Sequence, residues 1–468
     1  MTAVERLPVL VLCCTALAAA AACAVKEPPP PADALKGVLP PTTVVPSEWT
    51  AGAAPAGAVV VDWVETFGDQ QLVAIVNEGL QNNLDLKAAA ARIDVALALV
   101  AQARSLLFPQ TFVVGGVGVV GRDDTLDRSG IAADVSWEVD LWGRVRAEAA
   151  SAQAGRQAAE ADLLFARQSL SATIATLWYE TIAIERLRQT AEDATGVYDE
   201  LLRLVRTRAE VGQDNQQNVA LAGSDLDRAR QRERAYATSE QQIVRGLEVV
   251  IGRYPAAELA LAPDLPTVPA PVPDGLPSEL LERRPDVVAA DRRVASAFHL
   301  IQAAQAARLP RISLTAFGGR STSELLRLAG VGAGFWRLGI DLVAPIFTAG
   351  ALEAEVQRMT AEQQTALALF GQTALRAFSE VESSLASEQL LADQQQYLES
   401  VLSQDTEALR LGRVRYEAGA EDLLHVLQLQ ARQLNTQFEL IDIRNDRLAN
   451  RVALHLALGG GFAPAVTP

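Results

Sequence analysis

Downstream of residue 23 the chain has no cysteine: Cys13, Cys14 and Cys23 are all it contains. That excludes disulfides, a cysteine-built zinc site and a thiol nucleophile from everything that follows. Histidine is as scarce, with His299, His425 and His455 far apart and no HExxH pair. A metal-dependent or histidine-base enzyme has little to be built from, so no catalytic residue, metal ligand or cofactor is expected. Lysine stops at Lys26, Lys36 and Lys87. With 41 basic against 57 acidic residues the net charge is −16. Nucleic acid is excluded as a partner, because a phosphate-binding surface needs an excess of Lys and Arg. Aromatics are only 5% of the 468 residues, yet apolar residues reach 49%. Such a chain can bury a core. Its Ala, Leu and Gln content points to long helices. The length allows about three domains or one elongated one.

Residues 1–22 read as an export signal. Arg6 precedes the apolar Pro8-Val9-Leu10-Val11-Leu12 run, and small residues end at Ala20-Ala21-Ala22-Cys23. The apolar run is too short for a transmembrane helix. Small residues before a cysteine resemble a lipobox, so Cys23 is the expected lipid attachment site, carrying diacylglycerol and a further acyl chain such as palmitate. Ordinary cleavage after Ala22, leaving a free thiol, is the alternative. Residues 23–61, with Pro28 to Pro31 and Pro40-Pro41, read as an extended tether with little structure of its own.

The rest is a duplication. Asp85, Arg92, Ala103 and Pro109 recur as Asp286, Arg293, Ala304 and Pro310 at an offset of 201. Arg208-Ala209-Glu210-Val211-Gly212 recurs as Arg415-Tyr416-Glu417-Ala418-Gly419 at an offset of 207. Six residues are therefore inserted between Pro310 and the end of the second long helix. The halves span 62–254 and 278–460, joined by a Pro-rich linker at 255–277 and followed by a tail at 461–468. Each reads helix, strand, strand, very long helix, turn, helix. The first helical stretch, 70–107, ends at Phe108-Pro109. Proline-free runs at 144–210 and 351–417 predict rods of roughly 100 Å, and helices at 213–252 and 420–458 return.

Between the helices the period becomes two. Ile131, Ala133, Val135, Trp137, Val139 and Leu141 alternate with Ala132, Asp134, Ser136, Glu138 and Asp140. The strands are expected at about 110–121, 130–142, 311–320 and 331–345, although 110–121 alternates poorly. One apolar face and one polar, partly acidic face, over about ten residues, fits a membrane barrel strand. Four strands cannot close a barrel, and an open edge in lipid leaves backbone groups unpaired, so closure requires several chains. The acidic face would favour cation passage or serve only as solubilising charge.

These features resemble the lipoprotein branch of the TolC-like outer-membrane efflux family. The resemblance rests on Phe67-Gly68-Asp69, Leu80 through Pro109, Trp137-Glu138-Val139-Asp140-Leu141-Trp142-Gly143-Arg144, the run from Leu276 to Asp286, and Arg415 to Gly419. It covers about residues 60–460. It implies a mainly α fold with a membrane β-barrel portion: a homotrimer with a twelve-stranded barrel and a periplasmic helical barrel. It implies a passive conduit for drugs or other solutes, served by a periplasmic adaptor (membrane fusion) protein and an inner-membrane RND-type pump. The turns holding Arg208, Gly212, Arg415 and Gly419 become the periplasmic tips. At positions where the family often places inward aspartates, this chain has Asn218, His425 and Gln428. Asp214, Glu421 and Asp422 supply nearby charge, and three facing copies of His425 would make the gate pH-sensitive. Trp137, Trp142, Phe317, Phe335 and Trp336 are expected to form interfacial girdles in outer-membrane lipid.

Three other readings compete. Gly116-Val117-Gly118-Val119-Val120-Gly121 matches GxGxxG, but no helix N-terminus follows to hold a pyrophosphate. Glu180 with Glu185, and Glu380 with Glu382, lie among many charges on long helices and read as solvated faces. A periplasmic coiled-coil adaptor or scaffold lipoprotein shares the long hairpins but should lack two alternating strand hairpins at equivalent places.

Overall fold

The computed structural model describes residues 25–51, 62–120, 126–272, 277–322 and 333–460. Cys23, the signal segment and the C-terminal tail lie outside them. Helix α1 is Pro31–Val38, followed by a 3-10 turn at Trp63–Phe67. The first half continues with α2 (Gln70–Asn82), α3 (Leu84–Ser105), β1 (Gln110–Val120), β2 (Leu126–Val139), α4 (Arg144–Glu210) and α5 (Gln216–Val250). The second comprises α6 (Pro277–Arg283), α7 (Pro285–Ala306), β3 (Arg311–Thr322), β4 (Ala333–Val343), α8 (Ala351–Glu417) and α9 (Leu423–Ala457).

The duplication appears as equal lengths: 22 residues in α3 and α7, 67 in α4 and α8, 35 in α5 and α9. It also appears in register. Gln110 pairs with Ser136 in the first hairpin, and Arg311 with Val343 in the second. One strand of each pair is displaced by 201 residues and the other by 207. The six-residue insertion therefore falls between β3 and β4.

The described residues within 1–43, 89–162 and 286–374 form one unit, and those within 44–88, 163–285 and 375–468 another. The first holds an antiparallel sheet in the order β1-β2-β3-β4. Pleat parity puts Val135, Trp137 and Val139 on one face, opposite Ala316, Leu314 and Ile312, which in turn face Leu338, Ile340 and Leu342. The other face carries Asp134, Ser136 and Glu138 with Phe317, Thr315 and Ser313. Among the described residues no helix is long and apolar enough to cross a membrane.

The second unit holds helical cores. Trp63, Phe67, Leu72, Ile174, Trp178, Tyr179 and Leu247 are all buried together. Asp69 organises this cluster: its carboxylate accepts from the backbone of Gln71 and Leu72, capping α2, and from the Trp178 indole at 2.8 Å. His455 stacks on Trp63, ring centroids 5.4 Å apart, as a packing residue.

Several boundaries differ from the sequence reading. The stretch 70–107 is two helices, not one. Asn83 is extended, its side chain accepts from Leu86 N at 2.9 Å to start α3, and its amide donates to Val250 O. The tether is not featureless: α1 buries Ala34 and Leu35. Lys26 exchanges two hydrogen bonds with the Gln302 side chain. Strand β2 runs from Leu126 to Val139, earlier than 130–142, because Asp140 turns to cap α4. Strand β4 ends at Val343 rather than at 345, and the returning helices start at Gln216 and Leu423 because Asn215 and Asp422 act as N-caps.

Candidate functional site

The two turns that close the helical hairpins are built alike. Gly212 and Gly419 sit at φ +74° and +73°, a left-handed conformation that glycine adopts without strain. Gln213 N donates to Arg208 O at 2.8 Å, and Ala420 N to Arg415 O at 2.9 Å. Asn215 then caps α5 by accepting from Asn218 N, and Asp422 caps α9 by accepting from Leu424 N. Asp214 accepts from the Asn218 amide at 2.7 Å, so these two predicted site residues form one local network. Arg415 and Glu421 make a loose pair at 3.9 Å.

The structure brings the turns together. Leu202, Val205 and Leu226 from the first hairpin pack with Leu409, Tyr416, Leu423 and Val426 from the second. Across this core the Arg208 guanidinium lies 4.4 Å from the centre of the Tyr416 ring. Tyr416 was not singled out in the sequence, although it sits inside the Arg415–Gly419 motif. His425 and Gln428 are exposed, on the face of α9 opposite the buried Val426 and Leu427. His425 is therefore not packed between helices in the chain.

At the sheet end, the Trp137–Arg144 motif makes a strand-to-helix junction. Glu138 holds Arg144 through Nε at 3.1 Å and Nη2 at 2.8 Å. Asp140 accepts from Val145 N and Arg146 N, capping α4, and pairs with the Arg146 side chain. At an offset of 207 the same positions hold Pro345, Phe347 and Ala351, so the second junction lacks this network. With Glu138 paired, and with Arg311 and Arg337 sharing its face, the polar side of the sheet is mixed in charge.

The aromatic set divides. Trp137 and Trp336 share the apolar face by strand parity. Trp336 is 79% exposed. The Trp137 indole donates to Leu107 O at 3.0 Å and that of Trp142 to Pro310 O at 2.7 Å, tying each to a strand entrance. Phe317 and Phe335 are instead on the polar face, ring centroids 5.5 Å apart. Neighbours in a strand point to opposite faces, so Phe335 cannot share a lipid girdle with Trp336.

Two further sites escaped the sequence reading. Arg284, buried to 2% exposure, pairs with Glu380 and donates to Ala457 O. Arg451, equally buried, pairs with Glu388 at 2.6 Å and donates to Pro269 O at 2.7 Å and to Ala270 O. The linker is thus pinned by an arginine of α9. The signal for Arg284 lay in the Arg283-Arg284-Pro285 run, whereas Arg451 carries none.

The family model described as outer membrane efflux protein matches residues 75–253 and 276–460. The chain belongs to this family. The toluene efflux pump outer membrane protein TtgC of Pseudomonas putida is 30% identical over 440 residues, covering 90% of this chain and 91% of that one. The pyoverdine export outer membrane protein OpmQ of Pseudomonas aeruginosa is 31% identical over 440 residues, covering 89% and 91%. The open-state structure of the Neisseria gonorrhoeae MtrE outer membrane channel superimposes with a TM-score of 0.84 at 25% identity, over 95% of this chain and 100% of that one. This outer-membrane efflux protein is accordingly a channel component located in the outer membrane, not a periplasmic adaptor, and its family is one of transport proteins rather than enzymes.

Proposed function

We propose that three copies of this outer-membrane efflux protein close into a passive conduit for solutes delivered by a periplasmic adaptor and an inner-membrane RND-type pump. The observation that carries this is the sheet: four strands, a largely apolar face, and edges at β1 and β4 that no other strand among the described residues pairs. In lipid such edges must be satisfied, and three copies give a twelve-stranded barrel. The mixed polar face lines the lumen. The paired turns at Gly212 and Gly419 form the periplasmic end, where Asn218, Asp214, Glu421, Asp422, His425 and Gln428 surround a constriction and the adaptor docks. Acylation of Cys23 holds the tether at the inner leaflet. Relatives named for toluene and for pyoverdine carry unlike cargo, which supports a conduit whose selectivity resides in the pump.

The test is extraction of the outer-membrane fraction in mild detergent. A trimer that survives unheated SDS supports the reading, and a soluble monomer refutes it. Mass spectrometry of the mature N-terminus tests the anchor: an unmodified Cys23 removes it.

A further inference from the structure

The polar face of the sheet is not polar throughout. Phe112 lies opposite Asp134, Asp134 opposite Phe317, and Phe317 opposite Arg337, so one row crosses all four strands as Phe-Asp-Phe-Arg. Directly opposite residues share a face, and this is the face of Ser136 and Glu138. Phe112 is 57% exposed. Phe335, its ring centroid 5.5 Å from that of Phe317, is 38% exposed. Phenyl rings turned to water gain nothing there until an apolar surface covers them.

The charges of the row are available as well. On the same face Glu138 is held by Arg144, and Asp341 accepts from Thr315 Oγ1 at 3.0 Å. Asp134 and Arg337 have no hydrogen-bond or ion-pair partner among the described residues. They stand two strands apart, about 10 Å at the backbone, with Phe317 between them. In the next row Gly319 lies between Ala132 and Phe335, and an added Cβ there would run into Ile131 O and the Ala132 backbone. The wall beside the two rings therefore stays bare.

We infer that this patch is a solute-binding subsite on the barrel wall, and that its class of ligand is a flat aromatic zwitterion. The ring system lies on Phe317 and Phe335, an ammonium group meets Asp134, and a carboxylate meets Arg337. This rests on the reading above that the polar face lines the lumen, and it adds a preferred cargo chemistry to the wall of the conduit. The order of charges decides the class. An aromatic cation meets Asp134 and leaves Arg337 without a partner, an aromatic anion does the reverse, and a molecule with both ends satisfies both. Stacking on an exposed ring and a solvent-exposed ion pair are each weak. The subsite therefore holds a solute briefly and lets it leave, as conduction requires.

The probe is 6-(aminomethyl)-2-naphthoate, whose charges lie at the two ends of a planar ring pair. Its binding to the detergent-solubilised trimer is followed by naphthalene fluorescence, beside 2-naphthoate and 2-naphthylmethylamine, which carry one charge each. The zwitterion should bind about fivefold more tightly than either. Asp134→Asn should bring it to the level of 2-naphthoate, and Arg337→Gln to that of the amine. Both variants keep size and shape, and their trimers are verified on an unheated SDS gel. Phe317→Ala should weaken all three probes together. Equal affinity for the three probes in the wild type, or zwitterion binding untouched by both charge variants, overturns the subsite. Labelling by a charged maleimide in liposomes, above the wild-type background from Cys23, tests the reading beneath. Reactive Ser136→Cys with protected Trp336→Cys keeps the polar face in the lumen whatever the probes do, and the reverse pattern removes both that reading and the subsite.

Discussion

The Arg208 guanidinium sits 4.4 Å from the centre of the Tyr416 ring, so a cation from one helical hairpin rests on an aromatic face of the other. Tyr416 is buried, which raises its hydroxyl above the ordinary range and keeps the ring neutral. A partly desolvated contact of this kind contributes on the order of 1 kcal/mol. Arg208→Gln should therefore loosen the junction of the two turns and raise resting single-channel conductance, with little change in thermal stability. Unaltered conductance would mean that the contact does not hold the tip.

Arg451 is a second arginine held in a core, with a carboxylate rather than a ring as its partner. Replacing it with Met leaves Glu388 unpaired and two linker carbonyls without a donor. Removing one partner of a buried pair costs about 3–5 kcal/mol. The expected result is a lowered unfolding temperature and rapid proteolysis within 255–272. Adding Glu388→Gln should recover part of the loss.

Glu382 anchors the N-terminal segment. Its carboxylate accepts from Thr50 N, Thr50 Oγ1 and Ala51 N at 2.8–2.9 Å. Trp49 is buried beside Phe378, with ring centroids 6.3 Å apart. Hydrogen bonds to a charged acceptor contribute about 1.5–3 kcal/mol each. Glu382→Ala should release residues 25–51 to limited proteolysis while the helices stay protected. Equal cleavage rates in variant and wild type would show that the segment is held elsewhere.

Burial, reinforced by the nearby Arg451 charge, pulls the His455 imidazole down to about 4. A histidine in an unfolded chain titrates near about 6.5. As pH falls between these values the unfolded chain takes up a proton that the folded one refuses. The stability His455 contributes is therefore present above about pH 6.5 and is lost towards pH 4, by at most about 3 kcal/mol per chain. His455→Phe, which keeps a ring against Trp63, should reduce the fall in unfolding temperature between pH 7 and pH 5. An identical fall would place the acid sensitivity in other groups.

Much of this architecture is legible in the residues. The offsets of 201 and 207 locate the repeat, and the proline-free run at 351–417 matches α8 to the residue. The break at Asn83 was legible too, though only through the duplication, since Asn83 corresponds to Arg284 just before Pro285. Periodicity alone misses it because one capped residue interrupts α-spacing without a proline. The faces of Phe317 and Phe335 needed the register, because composition marks a ring as apolar without saying which side of a pleat it occupies. The contact of Arg208 with Tyr416 depends on how two hairpins pack, and that information is not local in sequence.

Single-channel recording of the purified trimer in planar bilayers tests the central claim, a conduit narrowed at the turns beside Gly212 and Gly419. The account predicts discrete conductance steps that enlarge in His425→Ala with Gln428→Ala. Steps of unchanged size in that double variant at every pH would place the constriction elsewhere. The absence of any steps from verified trimers would contradict the channel itself.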